Sequence, residues 1–310
     1  SLMRLGQSLG LAAHQKKPSS GVTLLLDEDD VPAAAVAVGM RKLRKDYTGY
    51  AMRVTSYSNN SNIADVSFDS DGLVSASSPV TQAGGSITAS TLGELSGSDY
   101  LYTTIWYDQS GNSRNFTNST LTSQPFITYA GTLQDAPLFD GSDDFLGCGY
   151  EFSSAGDDDQ TWTAVCKSSS PNTQGLFSDL QGGSFNSGVE VNAVTYWRHH
   201  INNIDLVTSF GITTNKALVN ASFSNDGSSN NNRLRLDGSQ QQTTTVKNLT
   251  AAARGIMSIG CRRSTLNGGT FVNGWIGNIY EAVCFETQLT DAQSEALEAN
   301  MAAHHSISLA

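Results

Sequence analysis

From residue 50 onward, hydrophobic and polar residues alternate in short runs that are separated by Ser, Asn, Gly and Asp. In AMRVTSY (51–57), Met52 and Val54 fall on one side of a strand, while Arg53 and Thr55 fall on the other. Further predicted strands are YLYTTIWYD (100–108), TWTAVCK (161–167), GVEVNAVTYW (188–197), KALVNASF (216–223), NRLRL (232–236), GIMSIGC (255–261) and GNIYEAVCFE (277–286). Because short strands follow one another without intervening helices, the pattern predicts an all-β sandwich.

An early helix is predicted for residues 31–49, ahead of the strands. Proline suits the first turn, Val36, Met40 and Leu43 share one face at helical spacing, and a glycine ends the segment. The basic residues of this segment fall toward its C-terminal end, where they suit the helix dipole.

A second helix is predicted at the end of the chain. Thr290 and Gln293 have the spacing of a capping box, in which each side chain serves a free amide of the first turn. Leu297 and Met301 then continue one face, four residues apart.

Composition and charge narrow the class of protein. Of 310 residues, 15% are charged, against about 25% in an average globular protein, and this excludes a coiled coil. The net charge of −11 disfavours a nucleic-acid partner. No stretch approaches the roughly 18 apolar residues of a membrane span, so no membrane partner is predicted. The N-terminal run is too interrupted by polar residues and glycine to be a secretion signal, and synthesis in the cytoplasm is expected.

The cysteines are far apart and form no CxxC pair. Two of them lie in predicted strands, so buried free thiols are favoured over disulfides or a zinc site. The cysteines are Cys148, Cys166, Cys261 and Cys284.

Several runs together carry a resemblance to known proteins. They are RKL (41–43), YTG (47–49), RV (53–54), WYDQSGN (106–112), FDGSDDFL (139–146) and GWIGNIYE (274–281) with the helix start that follows. Together they resemble the laminin-G-like, concanavalin-A-like jelly-roll modules of bacteriophage virion proteins. The N-terminal half also resembles the catalytic domain of family B α-L-arabinofuranosidases, which share the YDQSG run. The resemblance spans residues 33–305 and implies an all-β, concanavalin-A-like jelly-roll sandwich with an N-terminal arm, one early helix and one C-terminal helix.

The phage resemblance implies a non-enzymatic structural protein displayed on the virion surface, as a capsid decoration or a tail-associated subunit, and oligomeric in the particle. Residues 1–30 are predicted to be an attachment arm, and residues 31–310 one jelly-roll domain. An apolar segment that cannot bury itself in a sandwich suits contact with other virion subunits. The predicted partner-binding residues are Leu2, Leu5, Leu9 and Leu11.

The arabinofuranosidase resemblance implies a different function, glycoside hydrolysis, which requires two carboxyl groups. Glu190 could occupy the position of the nucleophile, but a strand residue on the solvent face, alternating with Val189 and Val191, is favoured. The acid/base position falls at Arg262. Since a guanidinium stays protonated at ordinary pH, it cannot act as a proton donor. No catalytic residue is therefore predicted beyond Glu190 as a candidate.

A third possibility is a carbohydrate-binding module that attaches to host surface glycans. Tyr196, Trp197 and Trp275 could stack on sugar rings, although aromatic residues in strands more often fill a core. The adjacent pairs at 199–200 and 304–305 are predicted to be surface histidines whose side chains diverge.

The acidic run FDGSDDFL offers candidate metal ligands. Asp140, Asp143 and Asp144 could supply oxygen ligands to Ca²⁺. The alternative is a turn in which Asp140 precedes a glycine bend and Asp143 caps free amides. The turn is favoured, and no cofactor is predicted other than a possible Ca²⁺.

Overall fold

The structure is a computed structural model that describes part of the chain. The described residues are 23–150, 159–170, 172–179, 187–192, 196–201, 204–207, 215–224, 231–244, 257–263 and 271–310. Most of the predicted arm, with Leu2, Leu5, Leu9 and Leu11, lies outside these ranges.

Antiparallel strands make up most of the described structure. They are β1 (Val36–Gly39), β2 (Met52–Ser56), β3 (Ile63–Val66), β4 (Val80–Gly84), β5 (Leu101–Trp106), β6 (Phe116–Thr117), β7 (Phe126–Tyr129), β8 (Thr132–Asp140), β9 (Leu146–Cys148), β10 (Gln160–Ser168), β11 (Gln174–Ser178), β12 (Ser187–Asn192), β13 (Tyr196–Ile201), β14 (Ile204–Val207), β15 (Ala217–Phe223), β16 (Asn232–Leu236), β17 (Ser239–Thr244), β18 (Ser258–Ile259), β19 (Arg262–Arg263), β20 (Phe271–Val272) and β21 (Ile276–Phe285). The α-helices are α1 (Leu92–Ser96) and α2 (Asp291–His305), and short 3₁₀ turns lie at Leu25–Asp27 and Leu121–Ser123. No helix among the described residues is long and apolar enough to cross a membrane.

The strands form two layers that are continuous through their hydrogen bonds. One layer has the order β17–β16–β15–β10–β21, and the other edge of β21 pairs with β1 and β8. The second layer follows β14–β13–β12–β11–β18–β9–β6–β5 and then β2, β3 and β4. Strand β7 joins β5 to β8 and so connects the layers. The prediction of an all-β sandwich is confirmed.

The core lies between the layers, because alternate residues of each strand point inward. Trp162 of β10 meets Phe177 of β11, with ring centroids 5.0 Å apart. A tight hairpin turn joins β16 to β17 at Asp237-Gly238, with both residues at positive φ, as a two-residue turn requires. All four cysteines are buried and free, which confirms that prediction.

The C-terminal helix is confirmed. The Thr290 hydroxyl accepts a hydrogen bond from the Gln293 amide, and the Gln293 side chain accepts one from the Thr290 amide. The apolar side of α2 is buried through Leu297 and Met301. Its polar side is also anchored, because Glu298 accepts hydrogen bonds from Arg235 at 2.9 and 3.0 Å.

The early helix predicted for residues 31–49 is wrong. Val36–Gly39 form strand β1, all four residues are buried, and Gly39 pairs with Glu281 on β21. A strand hydrogen-bonded beside β21 can bury consecutive residues on both faces, and such a run of small and β-branched residues imitates helical spacing.

A buried ion pair replaces the basic helix end that was expected in this segment. The Arg41 guanidinium donates to both oxygens of Glu281 at 2.8 and 3.0 Å and to Asn300 on α2 at 3.0 Å. The His305 imidazole lies 2.9 Å from the same carboxylate. Burial by itself raises the pKa of Glu281, but Arg41 and His305 more than offset that effect and hold it well below its ordinary value. This network fastens α2 to the outer side of the sheet.

The YDQSG run forms a buried turn, as expected for Asp108 and Ser110. The Asp108 carboxylate accepts hydrogen bonds from the backbone amides of Ala37 and Ser110, each at 2.9 Å. Gln109 donates to the Arg41 carbonyl at 3.0 Å. The run therefore positions β1 rather than presenting groups to a ligand.

Candidate functional site

Glu190 lies in the middle of β12, where it pairs in register with Arg198 of β13 and with Gly175 of β11. Its carboxylate forms an ion pair with the Arg198 guanidinium. The expectation that Glu190 faces solvent is wrong, because the residue is only 4% exposed. A buried carboxylate needs a counter-charge, and Arg198 supplies it. In the sequence, Arg198 could have been identified as this partner only from the register of β12 and β13, which places residue 190 opposite residue 198.

The topology brings the Arg262 position close to this carboxylate. Strand β11 lies between β12 and β18, with Phe177 opposite Ile259 of β18. Arg262 follows on β19, three residues after Ile259. The strand that bears Glu190 is therefore separated by the single strand β11 from β18, the strand that comes just before Arg262 in the chain. The resemblance to arabinofuranosidases placed the nucleophile and the acid/base at these two positions.

His199 and His305 are buried and His200 and His304 are half-buried, contrary to the prediction of surface histidines. His199 of β13 is fully buried, and burial followed by the charge of His200 lowers its pKa to about 3. Burial likewise lowers the pKa of His305, whose imidazole contacts Glu281. His199 is therefore a neutral polar group of the interior.

The aromatic residues proposed for sugar binding lie in or near the core. Trp197 and Trp275 are 2% and 0% exposed, and their rings stack on each other with centroids 5.9 Å apart. Trp197 lies opposite Val191 in the β12–β13 pair, on the inward side of the strand. Neither tryptophan thus presents a ring face to a ligand, while Tyr196 is half-buried at the start of β13.

The three aspartates of FDGSDDFL do converge. One oxygen from each of Asp140, Asp143 and Asp144 lies within 4.8 Å of the others. Asp144 is buried and accepts a hydrogen bond from the Asp140 amide at 2.9 Å, whereas Asp143 accepts one from the Ser123 hydroxyl at 2.7 Å. The tight bend expected at Gly141 is present, at a φ of +84°. The same segment therefore forms the expected turn and also gathers three carboxyl groups.

The surroundings of Asp144 disfavour the ionised form of its carboxyl group. Burial, followed by the charge of Asp140, raises the pKa of Asp144 to about 8. The carboxyl is thus neutral in the folded protein at pH 7, whereas in the unfolded chain it ionises near pH 4. Because the folded state binds the extra proton, this residue lowers the stability of the fold as pH rises from about 4 to about 8.

We expect Asp144→Asn to raise the free energy of unfolding at pH 7 by on the order of 2 kcal/mol. Asparagine keeps the acceptor for the Asp140 amide but has no charge to desolvate. Urea unfolding at pH 5 and pH 8 should show a larger gain at pH 8. The exposed Asp143→Asn serves as the control and should change little. Stabilisation of the unsubstituted protein by Ca²⁺, absent from Asp144→Asn, would instead identify the cluster as a calcium site.

An aromatic cluster that the sequence analysis missed lies on the outer side of β5 and β7. We call Tyr57, Tyr100, Tyr102, Phe126 and Tyr129 the tyrosine platform. Tyr102 and Phe126 have ring centroids 4.7 Å apart, Tyr100 and Tyr129 are 5.0 Å apart, and Tyr57 lies 5.8 Å from Tyr102. The signal available in the sequence was the alternation of Tyr100 and Tyr102 in YLYTT, which places two rings on the same face.

Comparison with known proteins gives matches at the level of structure only. No family model matches the sequence, and no curated protein matches it.

An arabinofuranosidase in complex with arabinofuranosyl-α-1,2-xylobiose superposes with a TM-score of 0.62 at 14% identity, over 91% of this chain and 64% of that chain. A GH54 α-L-arabinofuranosidase soaked with 4-nitrophenyl α-L-arabinofuranoside, in a variant with one glutamate changed to glutamine, gives a TM-score of 0.61 at 14% identity, over the same shares of the two chains. A sialidase from Trypanosoma rangeli gives a TM-score of 0.48 at 12% identity, over 65% of this chain and 31% of that chain. The chain thus spans about two thirds of the length of these arabinofuranosidases.

These comparisons correct the functional prediction. The expectation of a non-enzymatic virion structural protein is contradicted, because the structures that superpose well on this chain are arabinofuranosidases, and no comparison links the chain to a phage particle. At this level of identity the likeness establishes the fold alone. The chain has an all-β sandwich fold similar to that of arabinofuranosidases.

Proposed function

We propose that this protein is a glycoside hydrolase of the retaining type that acts on furanosides, with Glu190 as its nucleophile. The observation that carries the proposal is the buried Glu190–Arg198 pair in the middle of β12. A buried carboxylate paired with an arginine, on a strand separated from β18 by β11 alone, suits covalent attack on an anomeric carbon. The likeness of fold to arabinofuranosidases supports furanosides as the substrate class.

In the first step, a Glu190 oxygen forms a bond to the anomeric carbon while the bond to the leaving oxygen breaks. The leaving group departs with the electron pair, and a glycosyl ester of Glu190 results. Arg198 neutralises the carboxylate before attack and holds it in one orientation. Water then attacks the same carbon and loses one proton to bulk solvent, which releases the sugar and restores the carboxylate.

The residue at position 262 limits both steps. An arginine cannot protonate the leaving oxygen in the first step or deprotonate the water in the second. We therefore expect efficient attack only on substrates whose leaving group departs without a proton, and slow hydrolysis of the glycosyl ester afterwards. Aryl furanosides meet the first condition, whereas sugar–sugar linkages do not.

The proposal is tested by mixing the protein with 4-nitrophenyl α-L-arabinofuranoside and recording nitrophenol release. We expect a burst of about one equivalent per protein, followed by a slow phase, and a pentosyl adduct on the peptide that contains Glu190. Glu190→Gln should lose the burst completely. Glu286→Gln changes an exposed glutamate and is the matched control. A burst that survives Glu190→Gln, or no release above the buffer rate in the unsubstituted protein, would overturn the proposal.

A further inference from the structure

The tyrosine platform holds the large aromatic residues that are exposed in the described part of the chain. Tyr57 and Tyr129 are 56% and 51% exposed. Tyr100 and Phe126 are half-buried between them, and Tyr102 forms the floor. Five rings in mutual contact therefore form one continuous outer face on the ends of β2, β5 and β7.

The backbone beneath the platform is held by a dense set of hydrogen bonds. Asp99 accepts from the Ser58 hydroxyl and from the Tyr100 amide, each at 2.8 Å. The Tyr57 amide donates to the Tyr100 carbonyl at 2.9 Å, which joins the two loops that carry these rings. A surface held in this way loses little conformational freedom when a ligand is bound.

The chemistry of the platform suits a polyhydroxylated ligand. Four of its five rings are tyrosines, which offer an apolar face for stacking and a hydroxyl for hydrogen bonding.

Charge further restricts the ligand. Within the described strands β2, β5 and β7, the sole cation is Arg53, and it is paired with Asp65 through two hydrogen bonds at 2.8 and 2.9 Å. With a net charge of −11 on the whole chain, an anionic ligand is disfavoured at this surface. A neutral glycan has both the apolar faces and the hydroxyls that the platform complements.

The platform is separate from the Glu190 site. Along the second layer, β6, β9, β18 and β11 lie between β5 and β12. Five strand spacings correspond to roughly 24 Å along the sheet. A ligand on the platform would therefore not occupy the hydrolytic site.

We propose that the tyrosine platform is a second glycan-binding surface, which binds a neutral polysaccharide by ring stacking. This inference does not depend on the hydrolytic role of Glu190. It assigns to the platform the carbohydrate-binding role that the buried Trp197 and Trp275 do not fill.

The test is affinity gel electrophoresis of the full chain in gels that contain soluble arabinoxylan, galactomannan or dextran. At least one of these should retard the protein, and polygalacturonate should not. Tyr57→Ala and Tyr129→Ala should each raise the apparent Kd roughly three- to tenfold, while Tyr57→Phe and Tyr129→Phe should retain most of the affinity. Leu309→Ala removes a large exposed side chain outside the platform and should have no effect.

Two further measurements separate this proposal from its alternatives. Glu190→Gln should bind polysaccharide normally. If the unsubstituted protein is retarded in the gel but gives no nitrophenol burst, the platform is supported and the hydrolytic proposal fails. No retardation by any of the three neutral polysaccharides, or equal retardation of the alanine variants, would overturn the platform. Sedimentation velocity that shows a dimer lost in Tyr57→Ala and Tyr129→Ala would also overturn it, by identifying a second copy as the occupant.

Discussion

Replacing Arg41 with methionine is expected to lower the free energy of unfolding by about 3–5 kcal/mol. Arg41 and Glu281 are 2% and 0% exposed, and the guanidinium makes two of the hydrogen bonds of that carboxylate. Without Arg41, the Glu281 carboxylate remains buried with His305 as its main partner. Methionine fills similar volume, so the loss reflects the unpaired charge rather than a cavity. Urea denaturation at pH 7 measures the change.

The chain offers a matched control in Arg44→Met. The Arg44–Asp46 pair is similar in length at 2.9 Å, but the side chains of Arg44 and Asp46 are 33% and 73% exposed. Surface pairs contribute about 0–1 kcal/mol, so this variant should be nearly neutral. The double variant Arg41→Met/Glu281→Leu removes both charges and should recover much of the lost stability. Equal losses in Arg41→Met and Arg44→Met would contradict the structural role assigned to the buried pair.

The pKa shift of Glu281 adds a pH dependence with a definite sign. Its folded pKa lies well below the value in the unfolded chain, so its contribution is present at neutral pH and is lost only as pH falls through the folded value. We therefore expect the stability difference between the unsubstituted protein and Arg41→Met to persist down to about pH 5 and to shrink in stronger acid.

Replacing Arg262 with aspartate is expected to raise furanoside hydrolysis by about 10²–10⁴-fold. Aspartate can protonate a leaving oxygen and then deprotonate the water that attacks the glycosyl ester. With 4-nitrophenyl α-L-arabinofuranoside the burst should change little, because nitrophenolate needs no proton, while the slow phase should accelerate. With an arabinofuranosyl xylo-oligosaccharide both steps should accelerate, so release of arabinose is the more sensitive measurement.

The neighbouring arginine provides the control for this gain. Arg263→Asp makes the same change of charge one residue further along β19. Arg263→Asp should not increase the release of arabinose. Arg262→Glu tests whether a carboxyl on a longer side chain reaches the leaving oxygen better. Adding Glu190→Gln to Arg262→Asp should abolish hydrolysis. If Arg262→Asp and Arg262→Glu both leave arabinose release unchanged, position 262 is not the acid/base position and the proposed mechanism fails.

The strands were the most predictable part of this protein. Runs such as 161–167 and 277–286 became β10 and β21 with small shifts at their ends, because alternation of side chains follows from backbone geometry alone. The capping box at Thr290 was equally predictable, since its two hydrogen bonds lie within four residues. The run GVEVNAVTYW was predicted as one strand but divides into β12 and β13, and its turn had no Gly-containing signal to mark it.

Candidate residues were found where a motif was local and missed where it was not. Asp140, Asp143 and Asp144 are close in sequence, and their convergence could be anticipated. Arg198 was missed because its role depends on which residue lies opposite Glu190 in a hairpin. The tyrosine platform was missed because its rings come from separate segments around residues 57, 100 and 127, which only the pairing of β2, β5 and β7 brings together.

By itself, the sequence determined the class of fold, the C-terminal helix, the free thiols and the positions of most strands, since each depends on alternation, capping or composition within a short segment. Only the tertiary structure decided that residues 36–39 form a strand, that Arg41 is buried against Glu281, that Glu190 is paired rather than solvated, and that tyrosines rather than tryptophans form the exposed aromatic surface. The physical reason is common to all four. Whether a side chain is buried, and what neutralises it, depends on strands that are distant in sequence and adjacent in the sheet.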